Sequence, residues 1–271
     1  MSGDEAAFDA LTDAISRAAG LSLEAYKDKC LRRRIAVRMR ACGVQSYQEY
    51  QALLARTPSE YEHLKDAITI NVTRFFRNAE TWQRLAADHL PGLLTRVPGT
   101  IRVWSAGCSS GEEAYGIVLL VAEAATAAGD PRGLERVFVE ATDIDRRSLE
   151  RATKAVYRAD ALAETPGAVR DRYFEREGEG WRLASTVRRR VRVRHHDLGS
   201  EPPPGTFHLI VCRNVVIYFE RPVQERLFQS FADALLPEGL LVLGKVETLV
   251  GPARDRLQLL DPRERIYRRP G

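Results

Sequence analysis

Along the first seventy residues, apolar positions recur every three or four places. Phe8, Leu11, Ile15 and Ala18 share one helical face, and Gly20 marks a stop. A second helix is expected from about Leu23 to Ala41, closed by Gly43. Ser46 can cap a third over Tyr47 to Ala55, which Pro58 should break. Ser59 to Glu62, with acid in the first turn, should open a fourth. No strand pattern occurs in this stretch.

From Thr100 the texture changes. Ile101 to Ser105 is a short β-rich run, followed by a loop of small residues, Ala106 to Gly111, and a helical run, Glu112 to Ala128. Val137 to Asp143 reads as a strand ending in acid, with a helix from about Arg146. Phe207 to Cys212 is a buried-type strand. A helix from Pro222 to Leu235 has proline in its first turn, Leu235 to Gly239 reads as a turn, and Leu240 to Leu243 as a strand. Alternating strands and helices predict an α/β fold, a parallel sheet covered on both faces. One stretch interrupts the alternation: Arg172 to about Thr186 reads as an antiparallel ribbon leading into a strand with Val191 and Val193. Pro91, Gly92, Pro98 and Gly99 mark a seam. The expected organisation is a helical domain at 1–78, a linker helix and seam at 79–99, and an α/β domain at 100–271 carrying an inserted β-subdomain at about 171–190.

Length and composition fit this picture. The 271 residues can hold one large and one small domain, and 44% hydrophobic with 29% charged residues is ordinary for a globular protein. No apolar run approaches the roughly 18 residues of a membrane span. The acidic start is not followed by a signal-type apolar segment, so a cytoplasmic location is expected. Cys30, Cys42, Cys108 and Cys212 form no C-x-x-C pair and are read as reduced thiols, and the histidines show no ligand spacing, so no metal is expected. Lys and Arg number 41 against 37 acids, an excess too small to argue for nucleic acid.

The loop after the first strand carries Gly107 and Gly111 but places Ser109 where a dinucleotide fingerprint needs glycine. Glu112 and Glu113 open the next helix, so a phosphate there would meet two carboxylates. A cationic ligand fits better, and S-adenosylmethionine offers a sulfonium and an amino group without phosphate. Asp143, at the end of the second strand, can accept both hydrogen bonds of a ribose diol. Asp145 reads as an N-cap. Asp197 can accept from an adenine amino group or form an Asx turn. Asn214, just beyond the fourth strand, supplies both donor and acceptor.

Four segments together resemble the CheR family of chemotaxis receptor methyltransferases: Ile70 to Arg77 (INVTRFFR), Val103 to Tyr115 (VWSAGCSSGEEAY), Ala141 to Asp145 (ATDID) and Cys212 to Phe219 (CRNVVIYF). The resemblance runs along nearly the whole chain. It implies a class I S-adenosylmethionine-dependent methyltransferase, with a Rossmann-like seven-stranded sheet, an N-terminal all-helical domain and an inserted antiparallel β-subdomain. It implies transfer of methyl to receptor glutamates, with S-adenosylhomocysteine as product. Carried over position by position, cofactor contacts fall on Asn71, Thr73, Arg77, Ala106, Gly107, Glu112, Asp143, Asp197, Leu198, Arg213, Asn214 and Val215. Arg77 and Tyr218 are the implied pair nearest the transferred methyl. Asp197 stands where other members have asparagine, and Lys245 where they usually have histidine.

Such a reaction suits these residues. The substrate glutamate is already ionised at neutral pH, so no general base is required, and none is evident. For Arg77 and Tyr218 the plainer readings are an Arg77–Glu80 pair and a core tyrosine. The second helix is strongly basic, with Lys27, Lys29, Arg32, Arg33, Arg34, Arg38 and Arg40 against Asp28. The resemblance implies that Arg33, Arg34, Arg38 and Arg40 dock on the cytoplasmic helical domain of a chemoreceptor. Neither nucleic acid nor membrane insertion is expected, and a monomer is. The turn at Glu177 to Trp181 is shorter than the glycine-rich loop of members that grip a receptor pentapeptide, which points to a pentapeptide-independent enzyme. The alternatives are a nucleic-acid methyltransferase, against which no base-methylation motif is present, and a scaffold that binds S-adenosylmethionine without catalysis.

Overall fold

The computed structural model describes residues 3–19, 23–69 and 73–271. The chain divides into two compact units: Met1–Asn71 with Tyr218–Val223, and Val72–Ile217 with Gln224–Gly271.

The first unit contains α1 (Gly3–Ala19), a 3-10 turn (Leu23–Ala25), α2 (Asp28–Cys42), α3 (Tyr47–Arg56) and α4 (Pro58–Ile68). Each helix buries an apolar stripe: Phe8, Leu11 and Ile15; Leu31, Ile35 and Met39; Tyr50 and Leu54; Leu64 and Ile68. Ser46 caps α3 in a reciprocal capping box with Glu49. Pro58 ends α3 as expected and also starts α4, because a missing N–H costs nothing in a first turn. Gly43 closes α2 at φ 70°. The start of α2 lies later than expected, since Leu23–Ala25 folds as a separate turn. Gly20, the expected stop of α1, lies outside the described residues.

The basic helix is not uniformly free. Arg38 forks onto Glu60 at 2.9 and 2.7 Å, and the Tyr50 hydroxyl donates to the same carboxylate at 2.8 Å. Burial alone would raise the Glu60 pKa, but hydrogen bonds from Arg38, Tyr50 and Cys42 bring it down to about 2. Arg38 therefore serves the interior of this unit, a correction to its expected place on the docking face. Arg33 and Arg40 are exposed and Arg34 is half-buried. The segment Tyr218–Val223 completes the unit. Tyr26 bridges Phe219 with ring centroids 5.1 Å apart, Lys27 N–H donates to the Tyr218 carbonyl at 2.8 Å, and Glu220 N–H to that of Ala25 at 2.9 Å.

The second unit begins with α5 (Ala79–Arg84), a π-helical turn (Leu85–His89) and α6 (Leu90–Arg96). These pack into the main core through Trp82, Leu85, Leu90, Leu93 and Leu94. The division after Asn71 thus precedes the expected boundary at 78, and 79–99 is part of this unit rather than a linker.

Its strands are β1 (Ile101–Ala106), β2 (Val137–Asp143), β3 (Val156–Tyr157), β4 (Phe174–Glu177), β5 (Gly180–Leu183), β6 (Val191–His195), β7 (Phe207–Cys212), β8 (Leu235–Leu243), β9 (Gln258–Asp261) and β10 (Ile266–Arg268). The helices are α7 (Glu112–Ala127), α8 (Arg146–Lys154), α9 (Gly167–Tyr173), α10 (Ser185–Arg188) and α11 (Arg221–Ala234). The main sheet has seven strands in the order β6-β2-β1-β7-β8-β10-β9. The first five are parallel, and β10 and β9 are antiparallel to their neighbours.

Alternation along β1 sends Val103 into a cluster with Ile117, Val118 and Val121 of α7. Trp104 points to the other face, against Phe207 and Phe231. The expected ribbon is the β4–β5 hairpin, and β3, too short to read from two residues, adds a third strand. The expected turn at Leu235–Gly239 is a bulge inside β8. Phe207 pairs with Leu235 and Leu209 with Leu240, and Glu238 takes φ 61°. Pro237, which cannot donate to a ladder, sits in that bulge. No helix of the described residues is long and apolar enough to cross a membrane.

Candidate functional site

In an open α/β sheet, ligands meet the chain beyond the carboxyl ends of the strands. In the second unit the ends of β1, β2, β7 and β8 bring together the four segments singled out in the sequence, wherever they are described. Asn71 lies outside the described residues, and Tyr218 belongs to the first unit.

The loop after β1 is drawn over the end of β2. Gly107 and Cys108 N–H donate to the Thr142 carbonyl at 2.8 and 2.9 Å. Ser109 N–H donates to Asp143 Oδ2 at 2.8 Å, and Asp145 N–H to Oδ1 at 2.9 Å. Burial nonetheless lifts the Asp143 carboxyl to about 6 against these bonds. Gly107 has φ 86°, and a Cβ there would lie 2.4 Å from Val215 Cγ2. Gly111 has φ 94° and no room beside Ala152 and the Tyr157 hydroxyl. Between them Ser109 holds φ 49°, a strained conformation for a side-chain-bearing residue.

Both glutamates of the following helix are drawn inward. Ser110 Oγ donates to Glu112 at 2.8 and 3.1 Å, and burial raises the Glu112 carboxyl. Glu113 accepts from Ser105 Oγ at 3.0 Å and lies 3.9 Å from Arg213 Nη1. Burial pushes it up to about 7, although the charges of Arg213 and Arg77 oppose the rise. Arg213 is itself buried, over the Trp82 ring at 5.0 Å, and Nη2 donates to Asn78 Oδ1 at 2.9 Å. Its Nε has no hydrogen-bond partner. The Asn78 bond ties the loop carrying Thr73 and Arg77 to the end of β7. That loop is tight: Phe76 and Asn78 have φ of 56° and 61°, and Phe75 N–H donates to the Ala161 carbonyl at 3.0 Å.

The segment after Arg213 is held by a residue to which the sequence alone assigns no role. Glu247 is buried and accepts from the backbone of Gly244 at 2.6 Å, Asn214 at 2.9 Å, Val215 at 2.9 Å and Val216 at 2.8 Å. Burial raises its pKa against the bonds from Asn214, Gly244, Val216 and Ile217. They fix Asn214 at φ 61°. The link from Glu113 through Arg213 to Asn78 is likewise not legible in the sequence, although Arg213 itself is an expected cofactor contact. In both cases the only signal is a carboxylate or arginine in a run that otherwise reads as buried.

Asp197 Oδ1 accepts from Gly199 N–H at 2.8 Å and Oδ2 from Ser200 Oγ at 2.9 Å, so its carboxylate forms the Asx turn. Glu80 pairs with Lys245 Nζ at 3.4 Å, and Lys245 also reaches Glu264 at 3.2 Å, which accounts for the ammonium. Leu198 is half-buried beside Asp197, and Asp145 is an N-cap, accepting from Arg147 N–H at 3.0 Å.

Beyond the strand ends, then, stand carboxylates at 112 and 143, a buried guanidinium with an unpaired donor, and a glycine turn packed against Val215. This set suits a ligand with a diol, an ammonium and a carboxylate but no phosphate, which is the chemistry of S-adenosylmethionine. Seven strands in this order, with that site, define an S-adenosylmethionine-dependent methyltransferase fold. The chain belongs to the CheR methyltransferase family. Residues 71–266 match the CheR methyltransferase SAM-binding domain, and residues 6–69 its all-alpha domain. It is 33% identical over 242 residues to the chemotaxis protein methyltransferase of Listeria monocytogenes, covering 89% of this chain and 90% of the relative. It is 34% identical over 260 residues to that of Klebsiella aerogenes, covering 93% and 86%. Among solved structures, the StiE O-methyltransferase aligns at 16% identity and TM-score 0.40, over 77% of this chain and 57% of the other.

Proposed function

We propose that the protein transfers methyl from S-adenosylmethionine to glutamate carboxylates in the cytoplasmic helical domain of chemoreceptors, leaving glutamyl methyl esters and S-adenosylhomocysteine. The observation that supports this most is the convergence of the loops at 73–78, 106–112 and 213–216 with Asp143 on one sheet edge, in a chain whose full-length relatives are named chemotaxis protein methyltransferases.

In this reading Asp143 accepts the ribose diol. Glu112 and Arg213 face the charged methionine end, and Gly107 and Val215 shape the wall. Thr73 approaches from the loop before α5, and Leu198 flanks the adenine. The cofactor supplies an electrophilic methyl group on a sulfonium. The chain's own task is to bring an ionised carboxylate into line with that methyl and to exclude water. Alignment of this kind is worth up to about 7–11 kcal/mol in well-oriented systems. Arg77 orients the incoming carboxylate by a charge-assisted contact. Glu113 offsets the charge of Arg77 and Arg213, so that the nucleophile is steered without being gripped. Arg33, Arg34 and Arg40 of α2 form the docking face, without Arg38.

The test is incubation with methyl-labelled S-adenosylmethionine and a chemoreceptor cytoplasmic fragment, followed by alkali. Label released as methanol at high pH marks carboxyl esters. Label that resists alkali, or cofactor binding by calorimetry with no transfer, overturns the reading.

A further inference from the structure

Parallel strands β6 and β7 are joined by residues 196–206, eleven residues with no helix. This crossover passes β2 and β1, about 14 Å across the sheet, and returns about 20 Å along it. Eleven residues coiled as a helix would reach only about 16 Å, so the connection must run extended. It lies over Trp104, where the His196 ring meets the indole edge-on at 5.6 Å, and continues to Gly205 beside Arg102. One corner of the sheet is left without the layer that normally covers a parallel sheet.

That corner lies on β2 and β6. Phe138 is 36% exposed there, one of four large apolar side chains so exposed among the described residues. Around it are Arg102 on β1, Arg190 just before β6, and Arg192 and Arg194 on β6. Their acidic neighbours do not balance them. Arg190 is 3.8 Å from Glu135, while Arg192 and Arg194 share the single buried carboxylate of Glu140 at 3.9 and 3.3 Å. Glu140 Oε1 and Arg190 Nε have no hydrogen-bond partner. The corner is about two strand spacings wide, the width of one helix.

We infer that this corner is a second docking surface, occupied by an amphipathic helix that seats an apolar residue on Phe138 and presents carboxylates to Arg192 and Arg194. It rests on the reading above, and its occupant is a glutamate-bearing helix of the same receptor substrate. Carboxylates one helical turn apart are about 6 Å from each other, close to the two-residue repeat of the arginines along β6. Such a contact raises encounter and affinity rather than chemistry.

The experiment uses the full chain and a receptor cytoplasmic fragment. Arg192→Glu combined with Phe138→Ser should raise the KM for the fragment about tenfold and flatten its salt dependence, with kcat and S-adenosylhomocysteine affinity unchanged. Photo-crosslinking with benzoylphenylalanine in place of Phe138 should join the protein to the fragment. An unchanged KM, or a missing crosslink, overturns the inference. So does a variant that loses binding to phosphatidylserine vesicles while its receptor KM stays the same. If the wild-type chain methylates no receptor fragment, the functional reading fails first, and the crosslink still reports on the surface.

Discussion

Glu247 Oε1 accepts the backbone N–H of Val215 at 2.9 Å, joining the turn after β8 to the turn after β7. The same carboxylate also receives Asn214, Val216 and Gly244, and so sets the path of the chain around the candidate cofactor.

Glu247→Ala should therefore leave several buried N–H groups without an acceptor. A loss of about 2–4 kcal/mol in urea unfolding is expected. S-adenosylhomocysteine affinity should fall at least about tenfold, because Asn214 and Val215 are released. Calorimetry showing wild-type affinity would remove Glu247 from the account of the site.

Asp143 gives a prediction in pH. Its carboxyl sits near 6 in the folded chain against an ordinary 3.8. The folded state holds this proton more tightly than the unfolded state does. This group's contribution to stability is thus present below about 4 and lost as pH rises through about 6. Cofactor binding should run the other way, tightening as the carboxylate ionises and can accept the diol. Titrations at pH 5 and 7.5 check this. Asp143→Asn should bind weakly at both, and Glu113→Gln controls for the carboxyl that sits near 7.

Gly107→Ala places a methyl group where Val215 Cγ2 already is and forces a side chain into φ 86°. A cost of about 1–3 kcal/mol and loss of S-adenosylhomocysteine binding are expected. Thermal melts with and without ligand read both; a full ligand-induced rise in Tm would contradict the proposed wall.

On α2 the arginines should separate into two kinds. Arg38→Ala leaves Glu60 buried without its fork and should cost about 2–4 kcal/mol of stability. Arg33→Glu with Arg40→Glu should change stability by less than about 0.5 kcal/mol while raising the receptor KM. Receptor methylation equal to wild type in the second variant would take the exposed face of α2 out of the docking scheme.

The strands of the central sheet were legible because each is a short apolar run ended by a polar or small residue, as in Val137–Asp143 and Phe207–Cys212. Ser46 and Gly43 announced helix ends through local chemistry that needs no tertiary context. What escaped were relationships that close across long sequence gaps. Glu247 looks like any turn glutamate until Asn214 is placed 33 residues earlier beside it. Arg38 looks like one cation of a run until Glu60 arrives from another helix. Strands β9 and β10 are short, and Leu259 faces outward, so neither shows the pattern of a buried strand. Asp197 shows the limit of chemistry read by type: its turn and a ligand call for the same carboxylate, and only the fold shows the Gly199 and Ser200 bonds to it.

Residues 218–223 are threaded into the helical unit although they lie far downstream of its four helices. A truncated product stopping at Asn71 would lack Phe219 against Tyr26 and the main-chain partners of Ala25 and Lys27. The helical unit is thus not a cassette that can be cut out or exchanged at one junction. A chimera between two relatives should keep its N-terminal seventy residues and this downstream hexapeptide from the same parent, and the two stretches should drift together over time.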